Sequence, residues 1–297
     1  DPSYLPAIRA LKAIYEEAGD VESYEKPLIE EAKRTDDPEE RSKAYVNVAR
    51  FYEKQENVSE ATKYFEEALA LVPDALEPAS ALADIYLSQE RFDRCERMLD
   101  VTTTQLAGRL ADHPEDGELE KELGRRYYRQ AYVCEKNGKK DKALVAYEKA
   151  YAIDPTYLPV LEGYGNLLVH AQRFDDALKV YQFILVHHRG DLTDVEVAEI
   201  YWTLGDLYQK QNQSDRSEKH FEKALAINAG HEPSLRSLIA MAEARQVWDV
   251  AAKYRQTLVD ALDGDEKFQA CLALGAIARD KLNDQHLAID AYLSAQR

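Results

Sequence analysis

The chain has 297 residues, 45% of them hydrophobic and 31% charged, which predicts a folded protein with a sizeable core. Its 55 acidic and 38 basic residues give a formal net charge of -17, which argues against a nucleic-acid partner because a phosphate backbone would be repelled. The acidity is evenly spread, so we favour a solvated acidic surface over a specific acidic docking face.

Cysteine usage and hydropathy exclude several further classes. Cys95, Cys134 and Cys271 lie far apart without a CxxC pair, so we expect small core residues rather than a disulfide framework or zinc ribbon. No apolar run reaches membrane-spanning length and no signal-peptide pattern opens the chain, so we expect no membrane partner and favour a cytoplasmic location. The chain begins at Asp1 without methionine, which indicates a processed product or, in preference, a piece of a longer protein.

The segment from Tyr45 to Pro73 predicts two helices joined by a short corner. Apolar positions recur at helical spacing, and they are Tyr45, Val48, Ala49 and Tyr52, then Ala61, Phe65 and Ala68. Asn57 and Ser59 can turn the chain and cap the second helix, and Pro73 ends it. Two helices of this length cannot bury their apolar stripes alone, so each pair must pack on its neighbours.

The same pattern recurs along the chain. Clear copies carry Tyr127, Ala131, Ala143, Tyr147, Ala150 and Pro155, and then Tyr201, Leu204, Gly205, Tyr208, Phe221 and Ala224; weaker copies include Tyr86, Tyr164, Leu238 and Tyr292. "YLPAIRAL" at Tyr4 is echoed by "YLPVLEGY" at Tyr157, which indicates that a block of several repeats is duplicated. Small residues recur where two helices are expected to cross closely: Ala49, Ala83, Ala131, Gly165, Gly205 and Gly275.

This pattern resembles the tetratricopeptide repeat, a 34-residue helix-turn-helix, over nearly the whole chain. The resemblance implies an all-α, right-handed α-solenoid (superhelix) of antiparallel helix pairs. We expect a single solenoid over 1-297, as part of a longer protein, with repeats near 5-38, 42-75, 76-109, 124-157, 158-191, 198-231, 232-265 and 268-297. Longer spacings predict lengthened helices, one reaching about Ala111 and the next starting at Pro114. The first copy departs most, with Lys12 at a small-residue position and Pro27 inside its second helix.

No catalytic, cofactor-binding or metal-binding constellation is predicted. The sequence contains no GxGxxG, GKS, GKT, GxSxG or HExxH motif. His187 and His188 are adjacent and would point to different sides of a helix, so we expect surface residues rather than joint ligands. Asp175 and Asp176 sit at a predicted helix start, where the helix dipole favours acids. We therefore expect no enzyme, no cofactor and no metal.

The remaining candidate is the inner, concave face that the resemblance implies. A residue one place after a core residue on the first helix of each repeat is rotated by about 100°, towards this face. The predicted peptide-binding residues are Arg50, Asp84, Arg125, Tyr128, Tyr132, Glu162, Asn166, Trp202, Asp206 and Arg236. Family members that grip a carboxyl-terminal peptide use lysine, asparagine and arginine there, and acids interrupt that row in this chain.

Aromatic side chains leave an alternative open. Tyr128, Tyr132 and Trp202 are typical anchors of recognition surfaces, yet the same rings could pack against neighbouring helices. Trp202 is one residue closer to Gly205 than the usual spacing, so either Tyr201 or Trp202 could be the core residue.

The sequence therefore favours a scaffold that binds a protein or peptide of unknown identity through the groove. The alternatives are a regulatory or substrate-recruiting arm of a longer enzyme, and a scaffold that self-associates through open ends. The apolar stripe of the last helix, with Leu287 and Tyr292, predicts that the native chain continues past Arg297 or packs there on another copy.

Overall fold

The computed structural model describes residues 4–295, and these form helices joined by short corners, with no β-strand. The helices are α1 (Leu5–Ala18), α2 (Val21–Arg34), α3 (Pro38–Lys54), α4 (Val58–Leu71), α5 (Leu76–Ser88), α6 (Phe92–Asp112), α7 (Gly117–Lys136), α8 (Lys140–Ile153), α9 (Leu158–His170), α10 (Phe174–His187), α11 (Asp194–Lys210), α12 (Ser214–Ile227), α13 (Glu232–Ala244), α14 (Trp248–Ala261), α15 (Gly264–Ile277) and α16 (Gln285–Ser294). Consecutive helices pack as pairs from α1–α2 to α7–α8 and from α11–α12 to α15–α16, which confirms the all-α class and these predicted helix pairs. In each pair we call the odd-numbered helix the first helix and the even-numbered helix the second helix.

Side-chain caps fix many of the helix starts. The Asn57 side chain accepts a hydrogen bond from the Glu60 backbone N–H, as the sequence predicts. At α11, Thr193 and Glu196 form a reciprocal capping box. These caps satisfy backbone donors that a helix leaves without partners, so at α4 and α11 the local sequence sets where the helix begins.

One backbone conformation recurs at the corner within every described pair. A residue in the left-handed region separates the first helix from the second, at Gly19, Glu56, Glu90, Gly138, Gln172, Asn212, Gln246 and Asn283. Only two of these residues are glycines, although L residues rarely adopt positive φ. The corner geometry is therefore imposed by the packing of the two helices, because the residue type alone does not favour it.

Small residues on the first helices lie against aromatic rings of the second helices. A Cβ added at Gly205 would lie 2.5 Å from the Phe221 ring, and one added at Gly275 would lie 2.6 Å from the Tyr292 ring. Ala49 and Phe65 are both fully buried in another pair. These contacts confirm close helix crossing at three of the predicted small positions, Ala49, Gly205 and Gly275.

The lengths of α6 and α7 differ from those of the other helices. α6 has 21 residues and ends at Asp112, next to the predicted end at Ala111. The prediction that Pro114 starts the next helix was wrong, because α7 begins at Gly117 with Asp116 as its cap. The Asp116 side chain accepts hydrogen bonds from two backbone N–H groups, which fixes the start three residues later.

The last pair contains an extra residue, as the spacing of its apolar positions indicates. The chain from Ala278 to Leu282 forms a π-helical turn after α15. A π turn accommodates one additional residue in a helix. The insertion is thus absorbed before Asn283, and Gly275 still meets Tyr292.

Contacts divide the chain into two compact units, Asp1–Leu167 and Leu168–Arg297. The first unit has a core that includes Val48, Phe65 and Leu82. The second unit contains smaller clusters, including one of Phe221, Leu238 and Met241. The three cysteines, divided between the units, are buried and free, as expected for small core residues. The grouping of the eight repeats into a single solenoid stays a prediction.

Candidate functional site

The first helices place most of the predicted binding residues at the surface, directly after buried positions. On α3, Ala49 is fully buried and Arg50 is exposed; on α5, Ala83 is buried and Asp84 is exposed. The step of about 100° per residue explains this change between neighbours. We call the exposed side chains at these positions the first-helix face, and describe it separately for each unit.

In the first unit, carboxylates hold the arginines of this face. The Arg50 guanidinium donates to Glu53 at 2.7 Å and to Glu77 of α5 at 3.2 Å. Asp84 accepts a hydrogen bond from Arg129 and lies 3.6 Å from the Arg126 guanidinium. These contacts orient planar guanidinium groups whose remaining N–H donors stay available for other acceptors.

The tyrosines of α7 differ in exposure. Tyr128 is half-buried, with its ring centroid 5.6 Å from that of Tyr157 and 6.3 Å from that of Tyr147. Burial raises the pKa of Tyr128, so its hydroxyl stays protonated at neutral pH. Tyr132 is 38% exposed, and its ring contacts Phe92 edge-on at 6.5 Å and the Lys136 ammonium at 5.3 Å. Tyr128 therefore mainly packs, whereas Tyr132 presents part of its ring to solvent.

Arg125 extends the same surface of α7. Its guanidinium is exposed and lies 3.3 Å from Glu122, one turn earlier in the helix. Glu162 and Asn166 occupy exposed positions one turn apart on α9. The first unit thus brings the exposed Arg125 and the half-buried Arg129 together with Tyr132 along one helix.

In the second unit, Trp202 is half-buried. Its indole packs against Phe221, Leu238 and Met241, and its Nε1 donates to the Ser237 hydroxyl at 3.2 Å. Tyr201 is also half-buried, with its ring 6.3 Å from that of His220. Both residues therefore take part in packing, and Trp202 forms a bridge between α11 and α13.

The other two predicted residues of the second unit carry ion pairs. Asp206 accepts from Lys210 at 2.6 Å within α11. Arg236 lies 2.6 Å from Glu232 and 3.7 Å from Glu266 of α15. Exposed pairs of this kind orient the side chains but stabilise the fold little.

Comparison with known protein families agrees with this architecture. Three tetratricopeptide repeat models match residues 52–112, 124–157 and 157–229. The chain is a tetratricopeptide repeat protein. The matched segments lie in both units and include Phe65, Gly205 and Phe221.

Two curated proteins resemble this tetratricopeptide repeat protein over part of their length. Protein STIP1 homolog of Dictyostelium discoideum is 24% identical over 111 residues, 37% of this chain and 18% of that protein. Protein bimA of Emericella nidulans is 25% identical over 182 residues, 61% of this chain and 20% of that protein. The chain therefore spans about a fifth of the length of these relatives.

Solved structures show the same type of repeat. YrrB, described as a TPR protein with an unusual peptide-binding site, has a TM-score of 0.47 and 18% identity, covering 65% of this chain and 90% of its own. A tetratricopeptide repeat protein from Parabacteroides merdae covers all of both chains, with a TM-score of 0.41 and 12% identity. The family supports a role as a protein-interaction scaffold.

The described part of the chain contains neither a candidate metal site nor a helix able to span a membrane. Residues 4–295 contain no group of three or more histidine, cysteine or acidic side chains that could hold a metal ion. None of the described helices is both long and apolar enough to cross a bilayer. His187 is exposed, and the half-buried His188 pairs with Asp191 at 3.0 Å. Both histidine rings also lie beside that of Phe183, at 4.2 Å and 6.3 Å between centroids.

Sequence reasoning missed two features of the first unit. One is Arg129, which holds Asp84 and belongs to the "RRYYR" run of α7; the density of arginine and tyrosine in that run is a signal for it. The other is Glu96, a buried glutamate bound by two lysines. No local pattern marks Glu96, because acids are common near the starts of second helices.

Proposed function

We propose that this tetratricopeptide repeat protein binds segments of other proteins through the first-helix face. The proposal is supported above all by the surface of α7, where Arg125, Arg129 and Tyr132 are accessible beside the packed ring of Tyr128. Arginine and tyrosine are enriched among residues that dominate binding energy at protein interfaces. A segment lying along α7 would meet both a partly exposed ring and donors for carboxylates or backbone carbonyls.

The arrangement of charges favours short segments of mixed character over a purely acidic ligand. Asp84 and Glu122 stand beside the arginines and would repel a run of ligand carboxylates. The same acids fix the guanidinium groups, so less rotamer entropy is lost when a ligand binds. The expected ligand is therefore a peptide segment that combines apolar and polar side chains.

Photo-crosslinking tests where such a segment binds. Peptides of about twelve residues would be selected from a displayed random library on the whole chain, synthesised, and added to variants carrying p-benzoylphenylalanine. One variant places this group at Tyr132, and the control places it at Val145, which is 50% exposed on the second helix α8 of the same pair. We expect crosslinking from position 132 and not from position 145. Equal crosslinking at both positions, or no peptide enrichment, would contradict the proposal.

A second candidate function is self-association through α1. Leu11 and Ile14 of α1 are exposed, and so are Tyr4, which precedes α1, and Val21, the first residue of α2. Exposed large apolar side chains in one region are typical of interaction surfaces. Light scattering over a concentration series would detect it, and Leu11→Glu should then lower the mean mass towards that of a monomer. A monomeric mass at every concentration would eliminate this candidate.

A further inference from the structure

A pocket of about 630 Å³ lies between the first two helix pairs, within the first unit. The rings of Tyr15, Tyr24 and Phe51 line it together with Leu28, and the polar groups Glu16, Asp20, Arg50 and Lys54 are at its margin. This volume falls within the range of about 300 to 1,000 Å³ that is typical of ligand pockets. Arg50 belongs to the first-helix face, so the pocket is continuous with that face.

The pocket arises where the first pair departs from the pattern of the others. In the next pair a small residue and a large ring fill the crossing, with Ala49 against Phe65. In the first pair Lys12 stands at the small position and Leu28 at the position of that ring. Because Leu28 stands at that position, no ring fills the crossing of α1 and α2. The Lys12 side chain extends instead to Glu31, where its ammonium lies 2.5 Å from the carboxylate.

A large residue at a small-residue position of α2 also shapes the pocket. Tyr24 occupies the position that corresponds to Ala61, the buried small residue of the next second helix. Its ring lies 5.6 Å from that of Phe51 on α3, in a tilted arrangement. The rings of Tyr24 and Phe51 therefore form walls of the pocket between the first and second helix pairs. In the second pair, by contrast, the ring of Phe65 fills the place where α3 and α4 cross.

Lys12 of α1 also lines the pocket, but its ammonium is paired with Glu31, and the other charges of the lining are separated by sign. The acids Glu16 and Asp20 belong to the end of α1 and the corner after it, whereas Arg50 and Lys54 belong to α3. Arg50 is already held by Glu53 and Glu77. Lys54, which is exposed, forms an ion pair with no residue in the described range 4–295. Its ammonium is therefore available to a ligand carboxylate.

We propose that this pocket receives a large apolar side chain of a bound peptide, flanked in the peptide by a basic residue and an acidic residue. The basic residue would meet Glu16 and Asp20, and the acidic residue would meet Lys54. This inference rests on the proposed function, because it specifies the partner's chemistry at one end of the same face. Apolar burial supplies affinity, and the two charges fix the direction in which the peptide lies.

The test uses the peptides selected on the whole chain, with affinities measured by fluorescence polarisation. We expect enrichment of peptides with an aromatic or large aliphatic residue between opposite charges. Leu28→Phe places a ring in the pocket, and Lys54→Glu reverses the sign of the free cation; each should weaken binding at least tenfold. Lys253→Glu, an exposed lysine on α14, is the control and should change affinity less than twofold.

A charge-exchanged peptide gives a second measurement. Exchanging its acidic and basic flanking residues should weaken binding to the natural chain, and Glu16→Lys combined with Lys54→Glu should restore it. If selected peptides bind all pocket variants as tightly as the natural chain but still crosslink from position 132, the pocket proposal is wrong and the proposed function stands. If no peptide is enriched, both proposals fail.

Discussion

The buried glutamate Glu96 should contribute strongly to stability at neutral pH. It lies on α6 and is only 3% exposed. One carboxylate oxygen accepts hydrogen bonds from Asn137 and Lys139, each at 2.7 Å, and the other accepts from Lys142 at 2.9 Å. These donors come from the α7–α8 corner and α8, so the cluster joins two neighbouring helix pairs of the first unit.

The magnitude of its contribution follows from the pKa of the carboxyl group. Burial by itself raises the pKa of Glu96, but hydrogen bonds from Lys139, Lys142 and Asn137 outweigh burial and lower it to about 2, from an ordinary value of 4.5. Each pKa unit corresponds to about 1.4 kcal/mol, so the shift is equivalent to about 3 kcal/mol at neutral pH. Because the folded-state pKa is depressed, the unfolded chain binds the proton first as the pH falls. This stability is therefore complete above about pH 5 and is lost between about pH 5 and pH 2.

Glu96→Gln tests this reasoning with little change in volume. The variant removes the negative charge and leaves two ammonium groups without their common partner. Urea unfolding followed by circular dichroism should show a loss of about 3 kcal/mol at pH 7, and less than half of that difference, about 1.4 kcal/mol, at pH 3. Glu67→Gln, at an exposed position of α4, is the control and should change stability by less than about 0.5 kcal/mol at either pH. A loss below about 1 kcal/mol at pH 7, or a difference that does not depend on pH, would refute the argument.

Three further substitutions test the packing. Phe65→Ala should lower the free energy of unfolding by about 3 to 5 kcal/mol in urea titrations, because its ring is fully buried; a loss below about 1 kcal/mol would place the ring elsewhere. Gly205→Ala should cost about 1 to 3 kcal/mol through its clash with the facing ring, whereas Gly108→Ala, in open space within α6, should add about 0.5 to 1 kcal/mol; equal effects would contradict the close crossing. Trp202→Ala should cost about 2 kcal/mol, and in a Trp248→Phe background the emission of Trp202 should be blue-shifted and partly protected from quenchers; red-shifted, fully accessible emission would contradict its packing.

Much of the first-helix face was predictable because it depends on helix register. Once Ala49 and Ala83 are assigned to the crossing, the next residues must turn away from it, and Arg50 and Asp84 are indeed exposed. Helix register did not predict whether the Trp202 side chain packs or is exposed. Its surroundings depend on Ser237 and Leu238 of the following pair, and no spacing within α11 reveals how closely α13 approaches.

The sequence by itself determined the helix pairs, the Asn57 cap and the small and aromatic residues that meet where two helices cross. These features depend on residues a few positions apart, or on a pattern repeated with the same spacing. Only the tertiary structure decided the burial and the ion pairs of Glu96, whose partner Lys139 is 43 residues away. The tertiary structure also revealed the pocket beside Tyr24. The smaller side chain of Leu28 leaves space there only because Tyr24 of the first helix pair and Phe51 of the second line its sides. Long-range packing sets the burial of each group, and burial determines whether a charge stabilises the fold or remains available to a partner.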